Sequence, residues 1–311
     1  NRLVTLNDYK AKVNEYYPNA DAVAVWGGED NDPPEYGKVF ITLKPQNSDY
    51  LSVSEKSVVQ NKLNQLNMLT VRPVIVDAEI VKILLTTVFK YNPADTTLSK
   101  GELETLVRSS IVAFDNTNLN NFDSIFRHSN LVKAIDETNV AILSNVTNVR
   151  LQKRKHLTIS LTEGFNVLFG NGFYHPHDGH NKASGGVLTS TGFKVEGDTV
   201  NNYFFDDDGS GNVRRYSLDS GTRVFADLSA GTIDYASGKI SIDAIKFTST
   251  VNSDTSIDFT VVPSSSDVVA IRGSLVDISI DDIKVTAEVD TISSGESSAG
   301  VGFTSTSSTN Y

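Results

Sequence analysis

The sequence predicts an α+β fold in two parts. Residues 1–155 read as a ferredoxin-like α/β sandwich with an added helix and strand, residues 156–289 as an all-β domain, a sandwich or distorted barrel, and residues 290–311 as a Ser/Thr/Gly-rich tail. Three observations carry this. From Lys38 the elements run strand, helix, strand, strand, helix, strand, the ferredoxin-like order. After Lys155 helical periodicity disappears and short alternating runs recur between Gly, Ser and Asp. Charge divides along the same line: residues 1–155 hold 18 basic and 18 acidic side chains, whereas residues 156–311 hold 9 and 20 and carry the whole net charge of −11.

Thr5 opens the first helix, with Asp8 placed as a capping-box partner, and Pro18 stops it. Tyr9, Val13 and Tyr16 share one face. Two strands, residues 22–26 and 38–43, flank an acidic loop holding Glu29, Asp30, Asp32 and Glu35 and stiffened by Pro33 and Pro34. Trp26, the single Trp, ends the first strand. Ser52 or Ser54 caps a second helix that ends near Leu69, with Val59, Leu63 and Leu66 inward. Residues 71–76 and 80–91 read as strands. Ser99 and Glu102 form a capping box for the longest helix, lined by Leu103, Leu106, Val107, Ile111 and Phe114. Residues 116–121 are a polar break, 122–128 and 130–136 read as short helices, and 140–155 as a strand.

In the second part the expected strands are 156–161, 192–195, 200–205, 213–218, 233–235, 239–247, 256–262, 274–280 and 283–289. The tail holds 14 Ser, Thr or Gly among its 22 residues and no Lys or Arg, a composition that favours a flexible segment.

Composition narrows the function. Cys is absent, which excludes thiolate metal sites and Cys nucleophiles. No apolar run approaches the length that crosses a bilayer as a helix, and the acidic second part argues against nucleic acid and anionic membranes. The start at Asn1-Arg2 fits a fragment of a longer chain.

Five clusters merit weighing. His175, His177, Asp178 and His180 resemble a metal-binding tract, but no general base is marked, and an exposed turn shaped by Pro176 and Gly179 explains them more simply. Asp206, Asp208, Ser210 and Gly211 match the start of a calcium loop. Ser217 stands where the closing Glu belongs, so a hairpin tip is preferred. Arg150, Lys153, Arg154, Lys155 and His156 form a basic run suited to an acidic partner or phosphate, with a solvated strand end as the plainer reading. Gly185-Gly186 lacks the Lys of a phosphate loop. The acidic loop has two readings: an interface anchored by Trp26 and Tyr36, or a solvated connection beside a core Trp.

Three stretches carry a family resemblance: WGGEDNDPPEYGKVFI (26–41), VIVDAEIVKILLTTVFKYNP (74–93) and GTIDYASGKISI (231–242). They resemble the baseplate wedge proteins of T-even-like contractile-tailed bacteriophages, within the broader baseplate J-like family. The resemblance implies the C-terminal part of a structural subunit, not an enzyme, with no cofactor and no catalytic or metal residue. It implies a virion protein of the tail baseplate, assembled in the host bacterial cytoplasm. It also implies a homodimer and a higher ring around the central hub, contacting other wedge proteins and changing shape when the tail contracts. The motif transfers no contact residue by itself. The candidate interface is therefore Trp26, Gly27, Gly28, Glu29, Asp30, Asp32, Pro33, Pro34 and Tyr36, and the candidate self-contact is residues 256–262 and 274–289, forming a dimer that tightens as salt rises. The competing functions are a His-cluster metal-dependent hydrolase and a carbohydrate-binding or adhesion module.

Overall fold

The computed structural model describes residues 2–31, 34–46, 48, 50–68, 70–119, 121–122, 124–180, 186–271 and 273–291. The chain forms two compact units. Residues 1–80, 115–126 and 269–277 make the first, and residues 81–114, 127–268 and those from 278 onward make the second.

The chain runs α1 (Leu6–Tyr16), β1 (Ala20–Gly27), β2 (Lys38–Pro45), α2 (Val53–Asn64), β3 (Arg72–Val76), β4 (Glu79–Tyr91), α3 (Lys100–Asn118), β5 (Ile125–Phe126), α4 (His128–Asp136) and β6 (Ile142–His156). The expected helix over 122–128 is instead a turn and the short strand β5, in which Phe126 is buried. α4 starts only at His128, where the Asp267 carboxylate accepts the His128 amide at 2.9 Å and pairs with Arg127 at 2.8 Å. Those two bonds, Arg127's first, hold the Asp267 carboxyl below its ordinary value. The polar break at 116–121 is shorter than expected, because α3 continues to Asn118 and ends on buried Leu119.

In the first unit β1 pairs antiparallel with β2, and β2 parallel with β3 through the α2 crossover that a parallel pair requires. A core of Tyr9, Val13, Val23, Ile41, Leu43, Val59 and Leu63 holds helices and sheet together. The outer edge of β3 is closed by a side chain: Gln60 of α2 donates to the Pro73 carbonyl and accepts from the Ile75 amide at 3.0 Å. Its carboxamide stands where a neighbouring strand would.

The α+β class of the first 155 residues holds, but their strands divide between two sheets instead of completing one ferredoxin-like sheet. β4 and β6 pair antiparallel along Val81 to Tyr91, with no place for the shorter β2 and β3 beside them. The edges of that pair are taken by strands from far along the chain, Lys284–Val289 beside β4 and Ser256–Val261 beside β6. One face of the β4–β6 pair buries Ile83, Leu85, Phe89, Val149 and Leu151. α4 is held to β6 through Asn145, which donates to the Val132 carbonyl and to Asp136, and α3 is joined to α4 by Ser110.

The remaining strands are β7 (Thr162–Leu168), β8 (Leu188–Ser190), β9 (Phe193–Val195), β10 (Asp198–Asp207), β11 (Asn212–Asp219), β12 (Thr222–Asp234), β13 (Lys239–Thr250), β14 (Ser256–Val261), β15 (Val268–Val269), β16 (Ser274–Ile278) and β17 (Lys284–Val289). The all-β part resolves to a closed barrel: β10, β11, β12, β13 and β9 pair in that order and β9 returns to β10. Closure removes the free edges of an open sheet. Phe193, Phe205 and Phe247 fill its interior, Phe193 lying 4.6 Å from Phe205 and 5.2 Å from Phe247 between ring centres. β14 is paired on both sides, with β6 and β8, and β17 lies parallel to β4. The run expected at 156–161 begins later, at Thr162, and β12 starts at Thr222 rather than Ile233.

Three helices begin with capping boxes: Thr5 with Asp8, Ser52 with Glu55, and Ser99 with Glu102. Hydrogen bonds hold each carboxyl below its ordinary value, from the Thr5 amide first for Asp8, the Ser52 hydroxyl for Glu55 and the Ser99 amide for Glu102. Since folding lowers these values, their stabilisation is present above about pH 4.3 and is lost as pH falls through the folded values. Glu102→Gln is expected to melt below the parent at pH 7 and together with it near pH 3, as thermal melts across that range will read.

Candidate assembly surface

The described residues of the loop between β1 and β2 are tied together by hydrogen bonds. Gly28–Asp30 form a single 3-10 turn, and the Gly28 carbonyl accepts both the Asn31 amide at 3.2 Å and the Glu35 amide at 2.7 Å. A Cβ on Gly28 would lie 1.9 Å from the Glu35 carbonyl oxygen, so only Gly fits there. Glu35 pairs with Lys38, and Gly37 turns the chain into β2 with a φ of 75°. Trp26 is half-buried. It faces Phe40 across the strand pair, with ring centres 5.9 Å apart, and its indole N–H donates to Asn31 Oδ1 at 2.8 Å. Its six-membered ring also lies against Gly273.

Of the nine candidate residues, Gly27 and Gly28 are buried, Glu29, Asp30, Pro34 and Tyr36 are exposed, and Asp32 and Pro33 lie outside the described residues. Tyr36 is 80% exposed. Beside this loop, along β1, runs a groove of about 710 Å³ lined by Lys10, Asp21, Trp26, Asp30, Phe122 and Gly273. Trp26 is thus both wall of the groove and clamp on the loop. Phe40 could have been found from strand register, whereas Gly273 carried no signal in the sequence.

The other clusters take structural roles. His175 stacks on Tyr235 at 4.2 Å and 6°, and His180 meets both rings edge-on while its Nδ1 reaches the His177 carbonyl at 3.0 Å. Among the described residues no three His, Asp or Glu side chains converge as a metal-ligand set. Purified protein is expected to carry no stoichiometric transition metal by elemental analysis, and His177→Ala to change stability by under about 1 kcal/mol. Zinc or iron surviving dialysis at one per chain would reverse this reading.

Asp206 and Asp208 point to different partners. Asp208 shapes the hairpin tip by accepting the Ser210 and Asn212 amides at 2.8 and 3.0 Å. Asp206 is fully buried and takes a two-pronged contact from Arg214, at 2.9 and 3.0 Å, plus Arg223 at 2.9 Å. The hairpin-tip reading agrees with this geometry. In the basic run Lys153 is buried and donates to the Leu168 carbonyl at 2.6 Å, and Arg154 pairs with Asp258 and Asp254. Gly185 and residues 292–311 of the tail lie outside the described residues.

Family models for the baseplate structural protein gp6 match two consecutive stretches, its C-terminal domain I over residues 5–76 and its C-terminal domain III over residues 81–154. Over residues 5–76 and 81–154 the chain is similar to the gp6 baseplate proteins. The matched domains are those of a structural component of the phage baseplate, in the virion tail. The break between the two gp6 matches falls where the first compact unit first gives way to the second, at residues 80 and 81. The hairpin loop lies within the gp6 domain I match. A similar solved structure is a chain in the cryo-EM structure of the anti-feeding prophage (AFP) baseplate, 6-fold symmetrised. It is 13% identical, with 48% of this chain and 33% of that one covered and a TM-score of 0.34. The gp6-like chain spans about a third of that chain's length. Comparison with curated proteins gives no match.

Proposed function

We propose that this gp6-like chain is a wedge subunit whose work is assembly, not catalysis. Copies of it associate, as a homodimer and then a ring around the central hub, and the hairpin loop with its groove meets other wedge proteins. The ring changes shape as the tail contracts. The organisation into residues 1–155, 156–289 and a tail from 290 belongs to the same reading. The observation that carries it is the pair of consecutive gp6 domain matches across residues 5–154. A loop with fixed backbone and exposed acids, set beside a groove, supports the choice of surface. Neither the metal-hydrolase nor the carbohydrate-binding alternative has a specific observation in its favour.

Of the self-contact expected at residues 256–262 and 274–289, the strands β14 and β16 are not free surface, whereas β17 is largely exposed. β14 is buried along almost its whole length and hydrogen-bonded on both sides, and β16 is likewise buried, so neither offers a free face.

Replacing Glu29, Asp30 and Asp32 together by Ser is expected to leave the melting temperature within about 2 °C, as surface changes do. The same variant should slow or weaken incorporation into wedges, read by co-sedimentation of reconstituted assemblies. Normal incorporation would mark the loop as a connection only.

A further inference from the structure

Among the described residues β1 pairs with β2 alone, so its second edge has no strand beside it. At the far side of the same sheet Gln60 closes the edge of β3, and among the described residues no side chain does this for β1. β1 also lacks the usual protections of an edge. From Ala22 to Gly27 it has no Pro and no charged side chain, and its register with β2 is unbroken; the one irregularity is the bulge at Asp21. The groove of about 710 Å³ opens on this edge, and every residue from Ala20 to Trp26 lines it. A cavity against one face of a strand touches alternate residues, because side chains alternate between faces. An unbroken run marks the backbone edge instead. Both faces of β1 are covered. Val23 and Val25 pack into the core with Tyr9 and Val13 of α1, whereas Trp26, on the opposite face, lies against Gly273. Leu6 and Lys10 of α1 line the groove on one side and Gly273 on the other, all within the first unit. The edge is thus the floor of a slot with two walls.

Such a slot fits an extended chain, which satisfies the outward amides and carbonyls by adding a strand. An added strand of about six residues would pair along Ala22 to Gly27. Charge selects the occupant. Asp21 stands exposed at one end of the strand and enters no ion pair among the described residues, and Glu29 and Asp30 stand exposed beyond the other end. Lys10 is the single base among the described lining residues. We infer that the free edge of β1 takes up an extended segment of another baseplate protein, with strand-forming residues in its middle and Lys or Arg near both ends. The inference rests on the assembly role proposed above and specifies its contact: backbone pairing along β1, in addition to the side chains of the hairpin loop. Residues 290–311 of this chain have no Lys or Arg and do not supply such a segment.

The test is amide hydrogen exchange, read by mass spectrometry on the full chain, free and within reconstituted wedges. In the free chain the outward amides of β1 are expected to exchange with solvent, and in wedges exchange across residues 20–27 should slow at least tenfold. Asp21→Lys should weaken incorporation severalfold with the melting temperature unchanged, because it sets a like charge against the partner and a Lys on the edge. Lys10→Glu should leave incorporation intact or strengthen it. Incorporation that leaves exchange at residues 20–27 unchanged, or that Asp21→Lys does not weaken, overturns this contact and leaves the assembly role standing. So does protection that appears when the chain alone is concentrated, which assigns the edge to a second copy. Protection already present in the free chain and lost on removal of residues 292–311 assigns the edge to the tail, with the same consequence. A chain that never enters wedges overturns both.

Discussion

Arg214→Ala is expected to destabilise the chain by about 3–5 kcal/mol, the cost of leaving a buried charge without its main partner. Asp206 has no solvent contact, and Arg214 grips both its oxygens while also donating to the Asp207 carbonyl at 2.8 Å. Asp207 is committed elsewhere, accepting the Leu188 amide at 2.8 Å and the Tyr235 hydroxyl at 2.7 Å. Its charge has the same sign as that of Asp206 and offers no substitute for Arg214. Burial pushes the Asp206 carboxyl up, against the downward pull of Arg214 and Arg223. Without Arg214 that pull weakens and the value rises further. A raised carboxyl stabilises the fold below its unfolded value and loses that contribution as pH rises through the folded one. The deficit of Arg214→Ala should therefore be larger at pH 7 than at pH 4.5. Urea unfolding at the two pH values reads it. Replacing Asp206 by Leu and Arg214 by Met together should recover most of the loss, because apolar residues of similar volume need no partner.

Gly28→Ala is expected to cost about 2–3 kcal/mol, at the upper end for an added methyl group in a packed site. The obstacle is the Glu35 carbonyl oxygen, 1.9 Å from the new carbon, and backbone cannot swing aside as a side chain can. The loop must open, breaking the two amide bonds to the Gly28 carbonyl and loosening the Trp26–Asn31 bond. Trp26 is the only Trp, so its fluorescence reports this loop alone. A red-shifted emission with reduced wedge incorporation is the expected pair of results. Gly101→Ala provides the control. Nothing lies within 4 Å of its added carbon, and a helical Gly replaced by Ala should gain about 0.5–1 kcal/mol.

These residues also mark what a sequence can and cannot disclose. Local signals were legible: the capping boxes at Thr5 and Ser99, the cap of α2, the β1–β2 hairpin and the turn at Asp208 depend on neighbours within a few residues. The acidic loop could be singled out because Gly, Pro and acids crowd one short stretch. Partnerships across long separations were not legible. Gln60 closing β3, Asp267 capping α4 and His175 stacking on Tyr235 each join residues that no spacing rule connects. Sheet membership failed for the same reason. The order of helices and strands suited a ferredoxin-like sheet, but the edges of β6 and β4 were taken by β14 and β17, and Gln60 closed the edge of β3. Burial of β14 was missed because an apolar alternating strand reads alike whether one of its edges is free or both are paired.

The two gp6 domain matches support a structural part for this chain in the baseplate. Quantitative mass spectrometry of purified tail baseplates, beside particles made without the chain, tests it most directly. A fixed, whole-number copy count per baseplate is expected, and no complete baseplate in the absence of the chain. Complete, contractile baseplates formed without the chain, or a chain recovered only free of the particle, would contradict it.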